Sequence, residues 1–251
     1  MRNRWRRRSG NASRERSARI SPMTPSMTPT PPPLAMLGGT FDPVHYGHLR
    51  FADDVRRALE LPEVRLVPAG DPPHRAGPAA TAADRLAMLQ LAVSEFPGTV
   101  VDQRELDRPG KSYTVLTLEE LRREFPHRPL LLLVGADAFR GLPSWHRWRE
   151  IFDLAHLVVV ERPGVDLAAS LPAPLLPHWR ERLTDDPKRL RSRPAGSIFV
   201  QAIAPHAIAA TAIRDALVHD GARESLRELL PPAVLAYIEL HHLYRPRSDA
   251  P

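Results

Sequence analysis

Residues 129–135, PLLLLVG, carry five apolar side chains in unbroken succession between a proline and a glycine. Side chains along a strand alternate between its two faces, so a strand that is apolar at every position must be covered on both sides. AHLVVVERPG (155–164) repeats the pattern, and further apolar runs stand at PLAML (33–37), EVRLVPA (63–69), GTVVD (98–102) and GSIFVQAI (196–203). Between them lie stretches of helical period. Leu49, Ala52, Val55 and Leu59 share one face, and AADRLAMLQLAVSEF (82–96) places Leu86, Leu89 and Val93 together. YTVLTLEELRREF (113–125) and ATAIRDALVHDG (210–221) follow, the latter closed by its glycine. Doubly buried strands alternating with helices predict an α/β fold, a parallel sheet with helices on both faces.

The rhythm also sets the organisation. Residues 34–245 read as one domain, with a proline- and arginine-rich insertion at 165–196 and a terminal helix at 231–244 packed on the outside. Residues 246–251 read as a disordered end. Residues 1–33 have no apolar period and finish in a Ser/Thr/Pro run, the composition of a disordered tail. An over-extended start codon, with Met23 or Met27 as the true start, is the leading expectation for it. A solvated, RNA-sticky appendage and an Arg- and Ser-rich transit peptide are the others.

Charge narrows the function classes. The chain is +6 overall, but residues 1–33 hold eight arginines and one glutamate, which leaves the other 218 residues at −1. The basicity belongs to the tail, so no specific nucleic acid is expected on the domain. There is no cysteine, which excludes disulfides, thiolate metal ligands and a thiolate nucleophile. No apolar stretch approaches the ~18 residues of a membrane span, and a cytoplasmic chain is expected.

One segment carries chemistry. GGTFDPVHYGH (38–48) lies at the first strand-to-helix turn, where doubly wound sheets bind phosphate. It is neither G-x-G-x-x-G nor a P-loop. Gly38 and Gly39 nonetheless let backbone N–H groups approach an anion, and the following helix N-terminus adds donors and a favourable dipole. Gly47 removes a side chain where a phosphate would pass close to the backbone. His45 and His48, three apart at a helix start, can project to one side and donate to phosphate oxygens, more strongly when protonated. Two other readings stay open for the pair: a loop histidine with an N-cap substitute, and a zinc pair, for which a third ligand at recognisable spacing is missing.

This segment resembles the T/HxGH motif of the nucleotidyltransferase superfamily with the Rossmann-like fold. Across residues 34–244 the chain is similar to the bacterial nicotinate-nucleotide adenylyltransferases. PAGDPPHR (68–75) resembles a P-x-x-x-P-P-H-K loop, with Arg75 for lysine. DRLAMLQLA (84–92), ELDRPGKSYTVLTL (105–118), GADAFRGLPSWHRW (135–148), VVVERPG (158–164) and IAATAIR (208–214) follow in family order. Two positions depart from the pattern: Ala209 replaces a serine and Leu116 an aspartate. The first removes a hydroxyl expected at the ATP phosphates, and the second concerns helix surface or local packing.

The resemblance implies transfer of the adenylyl group of ATP to nicotinate mononucleotide. It implies His48 at the α-phosphate, His45 at the polyphosphate and Arg214 on the β/γ-phosphates. Gly38, Gly39, Thr40, Phe41, Gly47, Gly135, Asp137, Thr211 and Ile213 would serve ATP, with Gly135 and Asp137 at the ribose. Pro73, His74, Tyr113, Thr114, Trp145 and Arg162 would serve the acceptor, with Trp145 stacked on a pyridine ring. Mg²⁺ would ride on the ATP phosphates with mostly water ligands. A phosphate monoester is already ionised near neutral pH, so no general base is required. Rival expectations are an acceptor such as nicotinamide mononucleotide or another phosphate, and a non-catalytic nucleotide- or RNA-binding role. Homo-oligomerisation is left open.

Overall fold

The computed structural model describes residues 31–72, 77–204, 206–218 and 223–245. Seven parallel strands form its centre: β1 (Leu34–Gly39), β2 (Val64–Pro68), β3 (Thr99–Val101), β4 (Leu130–Gly135), β5 (His156–Glu161), β6 (Leu183–Thr184) and β7 (Ile198–Ala202). Their order across the sheet is β3-β2-β1-β4-β5-β7-β6. The chain runs outward from β1 through β2 to β3, then returns to lay β4 on the other side of β1. That reversal makes a crevice beyond the carboxyl ends of β1 and β4.

The strand that opened the sequence reading shows why the sheet is covered twice. Leu131 and Leu133 of β4 enter one core, whereas Leu130, Leu132 and Val134 enter the other. The first core packs α1 (Tyr46–Ala58) and α2 (Ala82–Val93) on the sheet. The second takes α4 (Thr114–Glu124), which follows the short α3 (Arg104–Asp107), and continues through α5 (Ala136–Arg140) and α6 (Ile151–Leu154). Leu116 lies on α4, half-buried against this second core. Further along are α7 (Leu176–Arg182), α8 (Arg189–Ser192), α9 (Ala210–Val218), α10 (Arg223–Arg227) and α11 (Pro232–Leu240).

Local chemistry sets the element ends. The Thr81 side chain accepts from the Asp84 N–H at 3.1 Å and its hydroxyl donates to the Asp84 carboxylate at 2.6 Å, a reciprocal cap that starts α2. The terminal helix is shorter than its sequence period. It ends at Leu240, and a turn follows in which His242 and Tyr244 are left-handed, at φ 51° and 62°. Val234, Leu235 and Ile238 bury its inner face. Gly221 and residues 1–30, 73–76 and 246–251 lie outside the described residues, so the expected glycine stop and the expected tail and end do too.

The segment 165–196 contains β6, which pairs with β7 at the sheet edge, and it buries Leu167, Leu175 and Leu190. A two-residue strand has no period to read, so this contribution to the sheet was invisible in the sequence. Among the described residues no helix is long and apolar enough to cross a membrane.

Candidate active site

The turn after β1 is held from behind by buried polar groups. Arg85 of α2, 1% exposed, donates to the carbonyls of Thr40 (2.8 Å), Ala69 (2.7 Å) and Gly70 (3.2 Å), tying the exits of β1 and β2 together. Asp42 accepts from the N–H groups of Ala79 (2.7 Å) and Ala80 (3.1 Å) and from the Tyr244 hydroxyl (2.8 Å). Phe41 bends the chain with a left-handed φ of 50° and seats its buried ring over Gly39, where a Cβ would come within 3.0 Å of it.

On this support the two histidines stack, ring centroids 3.7 Å apart and planes 23° apart. Phe41 meets His48 edge-on at 5.0 Å. His45 caps α1 from an extended backbone and is 4% exposed. A Cβ on Gly47 would lie 2.9 Å from the His45 Nδ1 and 3.2 Å from Ile208. A side chain at Gly47 would therefore meet the His45 imidazole and the loop before α9. The Nδ1 atoms of both histidines are buried with no hydrogen-bond partner among the described residues. Burial lowers His45 to a pKa of about 4. Burial, and then the neighbouring His45, hold His48 well below the usual histidine range. Both rings are thus neutral near pH 7.

The cleft in front of them has a volume of about 590 Å³ and lies at the reversal between β1 and β4. Its floor is made by glycines. A Cβ on Gly135 would meet nothing within 4 Å, and one on Gly38 only the tip of Met36 at 4.0 Å. One end is cationic in prospect: His48 faces in, and Arg214 of α9 reaches back to donate to the Asp42 carbonyl at 2.7 Å and to the Thr211 hydroxyl at 3.3 Å. The other end is aromatic. Trp145 is half-buried there, and Tyr113 packs on His146 with centroids 4.3 Å apart. Thr114 opens α4 beside them.

Of the residues singled out in the sequence, Gly38, Gly39, Thr40, Phe41, His48, Tyr113, Thr114, Gly135, Trp145 and Arg214 line this cleft. His45 stands behind His48, and Thr211 is exposed beside Arg214. Three others lie elsewhere. Ile213 is fully buried in the first core, because its position on α9 faces the sheet. The Asp137 side chain is 99% exposed and pairs with Arg140 at 2.7 Å. Arg162 is exposed on the loop after β5, its N–H donated to the Glu161 carboxylate at 2.7 Å. Pro73 and His74 are outside the described residues, as is Arg75.

Ser112 and His146, which line the cleft, fall in the SYT (112–114) and SWHRW (144–148) blocks expected at the acceptor. Sequence reading did not single out two acidic lining residues, Asp42 and Glu105. Both sit inside quoted motifs, but nothing in their spacing marks a tertiary hydrogen bond. Glu105 is 6% exposed, accepts from the Thr117 hydroxyl at 2.5 Å, and is pushed up in pKa by burial. Ser112 accepts from the Gly70 N–H at 2.8 Å. Among the described residues no group of three or more His, Asp or Glu is placed to hold a metal ion.

A parallel sheet with a glycine-floored cleft at its reversal and paired imidazoles at the first turn defines a nucleotidyltransferase, and residues 36–216 match the cytidylyltransferase-like family model. The curated relatives sharpen this. A protein of Halorhodospira halophila is 50% identical over 80% of this chain and 90% of its own length. One of Dechloromonas aromatica is 49% identical over 85% and 98%, and one of Laribacter hongkongensis 51% over 86% and 96%. Each is named "Probable nicotinate-nucleotide adenylyltransferase". The chain belongs to the nicotinate-nucleotide adenylyltransferase family. The nicotinic acid mononucleotide adenylyltransferase of Plasmodium falciparum, solved with NaAD, shares the fold at a TM-score of 0.65 and 14% identity, covering 85% of this chain and 98% of that one.

Proposed function

We propose that this enzyme transfers the adenylyl group of ATP to nicotinate mononucleotide, giving nicotinate adenine dinucleotide and pyrophosphate. The observation that carries the reading is His48, stacked on His45 and lining with Arg214 a glycine-floored cleft that Tyr113 and Trp145 also line. One cleft thus offers anion-binding groups for a polyphosphate and a flat apolar surface for a pyridine ring.

In the reaction an oxygen of the acceptor phosphate forms a bond to the α-phosphorus. The bond from that phosphorus to the β-phosphate oxygen breaks, and pyrophosphate leaves with the electron pair. The acceptor oxygen is already anionic, so positioning and charge stabilisation do the catalysis. His48 faces the α-phosphate, with His45 stacked behind it toward the polyphosphate. Both rings start neutral, and an arriving polyanion favours their charged forms. Arg214 sets its planar fork on the β/γ-phosphates.

Magnesium would enter on ATP. Of the two carboxylates in the cleft, Asp42 has its oxygens taken by Ala79, Ala80 and Tyr244, and Glu105 is held by Thr117. A cation among the phosphates would therefore keep mostly water ligands, as Mg²⁺ prefers. Pyrophosphate release from ATP and Mg²⁺, run in parallel on nicotinate and nicotinamide mononucleotides, tests the reading. Strong preference for nicotinate is expected. Turnover of the nicotinamide nucleotide alone would overturn the acceptor assignment, and turnover of neither would overturn the reaction.

A further inference from the structure

The reaction leaves two buried carboxylates beside the cleft without a task, and one of them, Asp42, is tied to the phosphate end. Asp42 is 7% exposed and lines the cleft, yet its carboxylate faces three donors of the protein itself. One oxygen accepts from the Ala80 N–H and the Tyr244 hydroxyl, and the other from the Ala79 N–H. The main-chain carbonyl of the same residue accepts from the Arg214 guanidinium at 2.7 Å. A single residue thus joins the loop before α2, the turn after α11 and the arginine of α9.

Tyr244 comes to it from the far end of the chain at some conformational cost. It and His242 are left-handed, a backbone state that bulky residues hold only where the surroundings fix them. The helix before the turn does not need this contact for its docking. Tyr237 bonds to Asp84 at 3.0 Å, and the Leu243 N–H donates to the Ile238 carbonyl at 3.0 Å. Burial and the Asp42 carboxylate together push the Tyr244 phenol up in pKa, so it stays an O–H donor at any working pH.

We propose that Tyr244 is a positioning residue for the triphosphate clamp: its hydroxyl fixes the Asp42 carboxylate, and Asp42 through its carbonyl fixes the Arg214 guanidinium. A carboxylate that lost this donor would turn toward water or toward the nearby Arg85. The peptide carrying the carbonyl would follow, and Arg214 would lose its aim. The inference rests on the adenylyl-transfer reading only for the identity of the anion that Arg214 meets.

Calorimetric titration of the full chain with ATP tests it without requiring turnover. Tyr244→Phe should weaken ATP binding about fivefold, a part of what a hydrogen bond to a charged group contributes. Tyr237→Phe removes the other tyrosine–aspartate bond of the same region and should lower Tm while leaving ATP affinity unchanged. In an Asp42→Ala background, which leaves the Tyr244 hydroxyl no side-chain acceptor at position 42, Tyr244→Phe should cost nothing further, since the two act in series. Unchanged ATP affinity in Tyr244→Phe, or equal weakening in Tyr237→Phe, would overturn the proposal. A wild-type chain that binds ATP but does not turn over nicotinate mononucleotide would fail the functional reading and leave this comparison standing.

Discussion

The two ends of the cleft are built on different principles. At the phosphate end the support is polar, with Arg85 on three carbonyls, Asp42 on three donors and Arg214 on Asp42 and Thr211, while the two imidazoles are held by stacking on each other. At the acceptor end, half-buried Tyr113 and Trp145 lean on the second core, and His146 lies against Tyr113 with the ring planes tilted by 35°. A charge-stabilising site gains from donors fixed before the charge develops, because reorientation during the reaction would cost the benefit. A ring-binding site needs a surface and a shape and tolerates looser walls. Loss of the cleft-facing imidazole at the phosphate end should therefore fall on kcat, and damage at the acceptor end on the KM for the acceptor.

The largest expected effect is at His48, the imidazole that faces the cleft. His48→Ala should lower kcat about a thousandfold, on the order of 4 kcal/mol of transition-state stabilisation, with the acceptor KM changed little. Steady-state kinetics with both substrates varied reads this directly. A loss confined to the acceptor KM would place the histidine at the wrong end of the cleft and dissolve the contrast.

Next in size is the stability that the same design gives up in acid. His45 is held near a pKa of about 4 in the folded chain, against an ordinary value of 6.5. Between those values the unfolded chain binds a proton that the native chain does not. Stability from this group is therefore fully present above pH 6.5, falls as the pH drops, and reaches its floor near pH 4. The loss is about 3 kcal/mol. Buried His156 is shifted the same way by burial and adds to the slope. His45→Asn should flatten the dependence of unfolding free energy on pH across that window. An unchanged slope in denaturant titrations would show that the unpartnered ring is not the group that titrates.

The same contrast explains what could be read from the sequence. Sheet strands apolar at every position forced two covered faces, and Leu130 to Val134 divide between two cores as that requires. The glycines, His48, Trp145 and Arg214 were legible because each sits in a motif at a strand end, and strand ends meet at the reversal of the sheet. Asp42 and Tyr244 were not legible as partners. Their contact joins positions 202 residues apart, and no local period encodes it. Ile213 shows a different limit. Its place on α9 sends the side chain into the core, which leaves its main chain as the part that could meet a ligand. Spacing reports which residues travel together, but only the packed helix decides which of them face the cleft.

The smallest effect expected is also the one that separates the two ends most cleanly. Trp145 lines the aromatic end, half-buried, and its N–H main-chain bond to the Leu142 carbonyl at 2.9 Å closes the short turn that presents it. Replacing it with alanine removes a flat apolar surface without touching any donor at the phosphate end. Trp145→Ala should raise the KM for nicotinate mononucleotide about tenfold, the equivalent of about 1.4 kcal/mol of ring contact. The KM for ATP should stay within about twofold, since the ATP contacts proposed here are polar and lie across the cleft. Equal rises in both KM values would mean that the turn carrying Trp145 also sets the glycine floor, through α5 and the end of β4. The phosphate end would then depend on the acceptor wall for its shape, and the two halves of the cleft would be one unit.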